Sequence, residues 1–210
     1  FQLVDGVDVY GGFDGTETNR SDRDFRNNQT ILSGDIGTAG DNTDNCYHVV
    51  IGADNATLDG FIIAYGYTTG AGSPYGGGIQ CIDTSPTIQN CVLLENFGSF
   101  GGGIYTNGTV DIKIYNCVFV DNTASSAGAG LQDEGNSHEI KNCLFVGNIA
   151  DNFAGGANIR SSGTTINCTF YNNTATNISG GGILHATNDS SYKNCIIYGN
   201  TSPSDSEVYV

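Results

Sequence analysis

The heptapeptide Asn116-Cys117-Val118-Phe119-Val120-Asp121-Asn122 is one of five copies of a single pattern. Each copy reads Asn-Cys-x-(large apolar residue)-x-x-Asn, and subtracting the numbers of neighbouring cysteines gives periods of 26, 26, 25 and 27 residues. The spacing inside the pattern never varies, whereas the segments between copies do. A fixed core with variable connections at this period is typical of a solenoid with one repeat per coil.

The residues of each repeat favour β-structure over helix. The repeats are rich in Gly, Asn, Thr and β-branched residues, and their apolar runs are too short for a pair of helices. Leucine-rich repeats would need several leucines per coil, which are missing. A coil of about 25 residues with three short strands and three turns predicts an all-β fold, a right-handed parallel β-helix of about seven coils. Its strands stack at ~4.8 Å, so equivalent side chains form ladders.

One domain is expected over residues 1–210, because a stack of this length can bury a continuous core. The pattern predicts inward-facing isoleucines on the second strand of each coil, at Ile88, Ile114, Ile140 and Ile166. Within the domain we distinguish irregular N-terminal coils with long loops (1–45), a degenerate coil plus an insert (46–75), regular repeats (76–200) and a C-terminal tail (201–210) that could hold one more strand at 207–210. The missing initiator Met and signal peptide indicate a mature chain or a piece of a longer one.

The charge of the chain limits its partners. It has 22 acidic and 7 basic residues and a net charge of −15. Nucleic acids and anionic membranes bind Lys/Arg patches, so neither is an expected partner. No apolar run approaches the ~20 residues of a transmembrane segment. The remaining candidates are further copies of the chain, other surface proteins and glycans.

The repeated asparagines and cysteines predict ladders with a structural role. An Asn at a sharp bend tolerates a left-handed backbone, and its amide can bond the Asn of the next coil. Stacked cysteines favour a column of buried thiols; vertical disulfides such as Cys91–Cys117 and a Cys46–Cys81 pair are the alternatives. The three ladders are Asn90, Asn116, Asn142, Asn167 and Asn194; Cys91, Cys117, Cys143, Cys168 and Cys195; and Asn96, Asn122, Asn148, Asn173 and Asn200.

Paired glycines before an aliphatic residue, coupled to Phe-x-x-Asn at Phe119–Asn122, Phe145–Asn148 and Phe170–Asn173, resemble the repeats of polymorphic outer membrane proteins. The opening VYGGFDGTE, with TILSGD at 30–35, is similar to the start of large bacterial β-helix surface proteins. The resemblance covers nearly the whole chain, with Leu93 and Ile197 as departures at the Phe position. It implies secretion, surface display and adhesion, without a defined chemistry.

Two sets of residues are candidates for chemistry. Alignment of the coils on the glycine-led strand places Asp133, Arg160 and His185 on one exposed face at ~5 Å steps. This is the best catalytic constellation for a polysaccharide lyase or hydrolase. The alternative is an incidental ion pair on a polar, solvent-exposed face. Hard oxygen ligands at Asp35, Asp41 and Asp44, with Asp54, are candidates for calcium, or else a solubilising acidic loop. No other cofactor is expected, since no Cys-x-x-Cys or His-x-x-x-His spacing occurs.

Several Asn-x-Ser/Thr sequons fall in expected loops, at Asn19, Asn28, Asn107 and Asn188, and are candidate glycosylation sites. Those at Asn167 and Asn200 are expected to face inward. Taken together, the sequence predicts an extracellular or cell-surface structural or adhesive module. Its open strand edges favour self-assembly into a filament, sheath or stalk. The alternative is a carbohydrate-active β-helix, either an enzyme or a glycan-binding module.

Overall fold

The computed structural model describes residues 1–69, 74–185, 189–204 and 207–209, and almost all of its regular structure is short parallel strands. Two single-turn 3-10 helices, Arg20–Asp22 and Asn42–Asp44, lie in the two N-terminal loops. None of the helices in these ranges is long and apolar enough to cross a membrane.

Three parallel sheets of seven strands run the length of the molecule, and a fourth of four strands lies at one corner. Sheet 1, the glycine-led strands, contains Val50–Ile51, Ile79–Ile82, Ile104–Asn107, Leu131–Glu134, Ala157–Ile159, Ile183–His185 and Val208–Tyr209. Sheet 2 contains Asp8–Tyr10, Thr57–Asp59, Thr87–Gln89, Asp111–Tyr115, Ser137–Lys141, Ser162–Ile166 and Ser190–Lys193. Sheet 3, the cysteine strands, contains Thr30–Ser33, Phe61–Ala64, Val92–Leu94, Val118–Val120, Leu144–Val146, Thr169–Tyr171 and Ile196–Tyr198. Sheet 4 contains Phe97–Phe100, Thr123–Ala127, Ile149–Ala150 and Thr174–Ala175.

This arrangement confirms the parallel β-helix. Chain order visits sheets 1, 2 and 3 in turn, and the predicted C-terminal strand is present as Val208–Tyr209, paired with Ile183 and Leu184. The centre of sheet 3 shows the register most clearly, because Phe119, Phe145 and Phe170 pair directly and are fully buried. Their rings stack with centroids 4.3 and 4.5 Å apart and interplanar angles of 7°. One continuous apolar core follows from this repetition.

The second asparagine of each repeat forms an internal ladder. The Asn148 side chain donates to Asn173 Oδ1 and to the Phe119 carbonyl, both at 2.9 Å. Its Oδ1 accepts from the Asn122 backbone N–H at 3.1 Å and from Asn122 Nδ2 at 2.9 Å. The same amide-to-amide bonds recur from Asn96 to Asn173, and Asn200 ends the ladder by donating to the Phe170 carbonyl and to Glu207 Oε2. The ladder amides are therefore satisfied without water.

The first asparagine of each repeat forms the sharp corner between sheets 2 and 3. All five residues have a left-handed backbone, with φ between 53° and 55°. Neighbouring amides bond at 3.1 to 3.2 Å across the first four. This ladder is at the surface, so Asn167 is exposed, and the expectation that it faces inward is wrong; Asn200 is buried as expected.

The cysteines behave as small apolar residues. Cys91, Cys117, Cys143 and Cys168 lie buried in one file, and the Cys143 N–H donates to Cys168 Sγ at 3.4 Å. All seven cysteines are free thiols, so neither the vertical disulfides nor a Cys46–Cys81 bond is present.

The fourth repeat corrects the register expected for sheet 2. Thr165, not Ile166, pairs with Ile140 and faces the core, whereas Ile166 pairs with Lys141 and faces outward. The residue directly before the corner Asn always points out, because alternate residues of a strand face opposite sides. The number of residues between a side chain and the corner Asn therefore predicts whether that side chain faces the core better than its apolar character does.

Candidate functional site

The predicted catalytic trio does not assemble on one exposed face. Sheet 1 pairs Thr106 with Asp133, Asp133 with Ile159, and Ile159 with His185. This column points into the core, where Asp133 is fully buried and His185 is 6% exposed. Arg160 follows Ile159 and faces outward, with Nη1 3.4 Å from Glu134 Oε1. The expectation of an exposed Asp133–Arg160–His185 constellation is therefore wrong.

Asp133 is instead the centre of a buried group of hydrogen bonds, the internal polar cluster, formed by Thr106, Asp133, His138, Ser161 and Thr165. Its Oδ1 accepts from Thr106 Oγ1 at 2.5 Å and from the Gly135 N–H at 3.1 Å. Its Oδ2 accepts from the Ser161 hydroxyl and lies 3.5 Å from His138 Nδ1. A buried carboxylate is costly unless it is paired or hydrogen-bonded, and these donors supply that compensation.

The hydrogen bonds assign the tautomer of His138. Because Ser161 donates to Asp133, its oxygen accepts the His138 Nδ1 proton at 2.8 Å. Nε2 then accepts from Thr165 Oγ1 at 3.3 Å. Burial lowers the pKa of His138, and the nearby Asp133 carboxylate opposes that shift. The ring is therefore assigned as neutral, with its proton on Nδ1.

The cluster contains Ser, His and Asp but lacks the geometry of a nucleophilic triad. In a triad the serine donates to one imidazole nitrogen and the carboxylate accepts from the other. Here Ser161 donates to Asp133, and both groups lie beside the same nitrogen of His138. The Ser161, His138 and Asp133 side chains are also at most 4% exposed. The arrangement can hold the corner between sheets 1 and 2, and it offers no approach for a polymer.

His185 lies beyond this cluster, against Tyr192. Its Nδ1 is 3.1 Å from the Tyr192 hydroxyl, and the two rings meet edge to face with centroids 5.4 Å apart. Burial raises the pKa of Tyr192, so its phenol stays protonated over the physiological range.

The calcium candidates do not converge. Asp35 accepts from the Gly40 N–H, Asp41 from the Thr43 N–H and hydroxyl, and Asp44 from the Thr38 N–H, so each carboxylate closes a turn of its own loop. Within the described ranges no group of three or more His, Cys, Asp and Glu side chains could hold a metal ion.

The candidate glycosylation sites differ in accessibility. Asn19 is exposed before the first 3-10 helix and Asn28 is half-buried. Asn107 is half-buried, and its Nδ2 donates to Tyr105 and Glu134. Asn188 lies outside the described residues. Use of these sequons stays a prediction.

Loop 14–29 forms a groove of about 620 Å³ beside the outer face of sheet 2. Arg23 from this loop lies 2.5 Å from the Asp59 carboxylate and donates to the Gly11 and Asp59 carbonyls. Arg20 stands over the Tyr10 ring at 4.6 Å and donates to its hydroxyl at 2.8 Å. Arg23 is thus committed to the protein, whereas Arg20 is exposed at the groove wall.

The outer side of sheet 3 is the largest feature that sequence reasoning missed. The outward residues of its last six strands, hereafter the sheet-3 face, form two columns that contain no charged residue. They could have been found from the alternation around the buried Phe column, which places the residues before and after each Phe on the outer side. The columns are Ile62, Val92, Val118, Leu144, Thr169 and Ile196, and, from the last five strands, Leu94, Val120, Val146, Tyr171 and Tyr198. Ala64, which pairs with Leu94, is buried.

The sheet-3 face is accessible along its length. The middle residues are half-buried by their neighbours, whereas Ile196 is 59% and Tyr198 56% exposed. Tyr171 and Tyr198 stack at 4.7 Å. At the N-terminal end, Phe25 and Arg26 of loop 14–29 form a groove of about 590 Å³ with Ile62, Val92 and Val118. The molecule therefore presents a flat apolar strip with a wall at one end.

Residues 3–174 match the family model described as the right handed beta helix region. No curated protein and no solved structure matches the chain. The match agrees with the parallel sheets and the stacked core described above and extends over most of the coils. The chain therefore belongs to the right-handed β-helix family.

Proposed function

We propose that the chain is a structural or adhesive module of an extracellular surface protein, a rigid rod that associates sideways with further copies of itself. The observation that carries the proposal is the uncharged sheet-3 face, set on a chain with a net charge of −15. Exposed apolar patches rimmed by polar residues mark interaction sites, and the outer side of sheet 3 is such a patch in contact with water.

The continuous packing of the interior supports a structural role. The internal Asn ladder, the Phe stack and the thiol file fill the interior with repeating contacts, and the described coils enclose no chamber for a substrate. Asp133, a member of the predicted catalytic trio, makes its hydrogen bonds within the internal polar cluster, as does His138. The resemblance to polymorphic outer membrane protein repeats supports surface display.

The test is sedimentation of the purified chain at increasing concentration, together with electron microscopy of concentrated samples. We expect the weight-average mass to rise with concentration and side-by-side assemblies to form. A chain that remains monomeric at every concentration would contradict the proposal. The family includes enzymes as well as non-enzymes, so a screen of acidic polysaccharides for turnover, with Asp133→Asn as the comparison, tests the catalytic alternative.

A second candidate function, binding of acidic glycans, is favoured by the groove of Arg20 and Tyr10. An exposed guanidinium next to an aromatic ring can pair with a uronate carboxylate while the ring packs against the sugar. The test is binding of a polyuronate and of a neutral glucan by isothermal titration. Arg20→Ala should remove polyuronate binding, and Arg26→Ala, which changes the same charge in the other groove, should retain it. Equal binding of both glycans would exclude this function.

A further inference from the structure

We infer that the sheet-3 face is the surface through which two copies of this chain pair side by side. The inference rests on the proposed function and specifies which of the rod's faces makes the contact. Its basis is the charge, shape and area of that face.

Charge selects the face among the sides of the rod. Two copies with a net charge of −15 repel each other, and burial of an unpaired carboxylate opposes association. The outward columns of sheet 2 carry charges, including Lys113, Glu139 and Lys141. The sheet-3 face carries none; Arg26 borders it at the N-terminal end, and Glu95 and Asp121, which follow its outward Leu94 and Val120, are exposed. The strands of sheet 4 also carry no charged residue, but Ser and Thr predominate among their outward residues, as at Thr123, Ser125 and Thr174. The sheet-3 face is therefore the apolar side on which two copies meet without burying a carboxylate.

Shape makes the face complementary to itself. Each copy presents side-chain columns with the same strand spacing of ~4.8 Å, so the ridges of one copy fit between those of the other. Two sheets pack face to face when their inner residues interdigitate at a separation of ~10 Å. A two-fold axis in the plane of contact satisfies both copies at once, because each contributes the same patch.

Area indicates how strongly the copies pair. Six strands at ~4.8 Å and three residues per strand give a strip of roughly 24 Å by 10 Å. Even with the flanking corners, this falls well short of the ~800 Å² per partner of a standard stable interface. The affinity between two isolated copies is therefore low. Pairing becomes effective where many copies are held close together on a surface, because a high effective concentration compensates for the low affinity.

The experiment compares the wild-type chain with two matched variants by sedimentation equilibrium. Leu144→Glu places a carboxylate at the centre of the face, between Val118 and Thr169. Ile166→Glu makes the same kind of change on the outer side of sheet 2, between Lys141 and Lys193. We expect Leu144→Glu to weaken dimerisation roughly tenfold or more and Ile166→Glu to leave it unchanged.

Salt and a milder variant complete the test. Added salt should strengthen pairing of the wild type, because it screens repulsion between like-charged copies. Val118→Thr keeps both the β-branch and the volume, so it should fold and weaken dimerisation by a few-fold even where Leu144→Glu lowers stability.

Three results would overturn the inference. If the wild type dimerises and neither Leu144→Glu nor Val118→Thr weakens it, the copies meet on another face and the proposed function survives. If Ile166→Glu weakens dimerisation as much as Leu144→Glu, added charge and not this face is responsible. If the wild type is monomeric at every concentration and salt, the face is covered by a different partner, and the self-association in the proposed function fails as well.

Discussion

Replacement of Asn148 by alanine tests the internal Asn ladder directly. Asn148 Oδ1 accepts from the Asn122 backbone N–H and from one Asn122 amide proton, and the change removes this acceptor together with a donor to the Phe119 carbonyl. All these groups are buried. Each buried group left without a partner costs about 1–3 kcal/mol, so the two donors alone predict a loss of about 2–6 kcal/mol. This is a large share of the ~5–15 kcal/mol that stabilises a typical domain.

The assay is equilibrium unfolding in urea, followed by far-UV circular dichroism, with the slope of the transition compared between variants. The matched control is Asn142→Gly in the surface ladder. Glycine accepts the left-handed φ of 55° at this position without strain, and water replaces the lost bonds to Asn116 and Asn167. The control should cost less than about 1 kcal/mol. A loss for Asn148→Ala no larger than that of the control would refute the reasoning that the internal amides depend on each other.

Three further predictions concern acid, thiols and loop 14–29. Burial lowers the pKa of His138 below its ordinary 6.5. The unfolded chain therefore binds more protons below about pH 6.5, and the free energy of unfolding falls as the pH is lowered through that range. Urea midpoints measured from pH 8 to 5 should decrease less for His138→Gln than for the wild type, and an equal decrease would contradict the assignment of a neutral His138. A thiol reagent should modify the half-buried Cys46 and Cys195 in the native chain and the five buried thiols only in urea, since each of those five is at most 3% exposed and the reagent cannot reach it in the folded core. Rapid native modification of all seven would contradict the closed core. Arg23→Ala removes the ion pair of the nearly buried Asp59 and should lower the free energy of unfolding by about 2–4 kcal/mol, with faster proteolysis within loop 14–29. Arg26→Ala should change neither the stability nor the proteolysis rate. Equal effects of both variants would argue against a specific role of the Arg23–Asp59 pair.

The repeats predicted the coil and its inward columns because identical spacing imposes identical local conformation. Counting from Cys117 gives the position of Phe119 in the core and the left-handed bend at Asn116 in every repeat. Strand stacking then brings equivalent residues together, so the two Asn ladders and the thiol file followed from arithmetic on the sequence.

The expectation of an exposed Asp133–Arg160–His185 site is wrong because it follows the polarity of these residues and ignores the two-residue alternation of a β-strand. Leu131 faces the core, so Asp133, two residues later on the same strand, must face it as well. Arg160, one residue after the inward Ile159, must face out. The strand period alone predicts both placements, and the buried carboxylate is tolerated because the next coil supplies Ser161 as a donor.

The contacts of loop 14–29 could not be predicted in the same way. Arg23 meets Asp59 across 36 residues, through a loop with no equivalent in any other coil. No repeat fixes the path of such a segment, so its pairing depends on packing against sheet 2 and not on register. The same holds for the two grooves it borders.

The bonding pattern of the internal ladder also determines how such a chain can change in length. A duplicated segment of one full period, residues 116–141, would give its new Asn the same donors and acceptors as its neighbours, and the molecule would extend by one strand spacing of ~4.8 Å. Inserting a single residue between Cys117 and Asn122 would instead turn one amide toward water and leave two neighbours unbonded. Evolution of this protein is therefore expected to proceed by gain and loss of whole coils, with smaller length changes confined to segments such as loop 14–29.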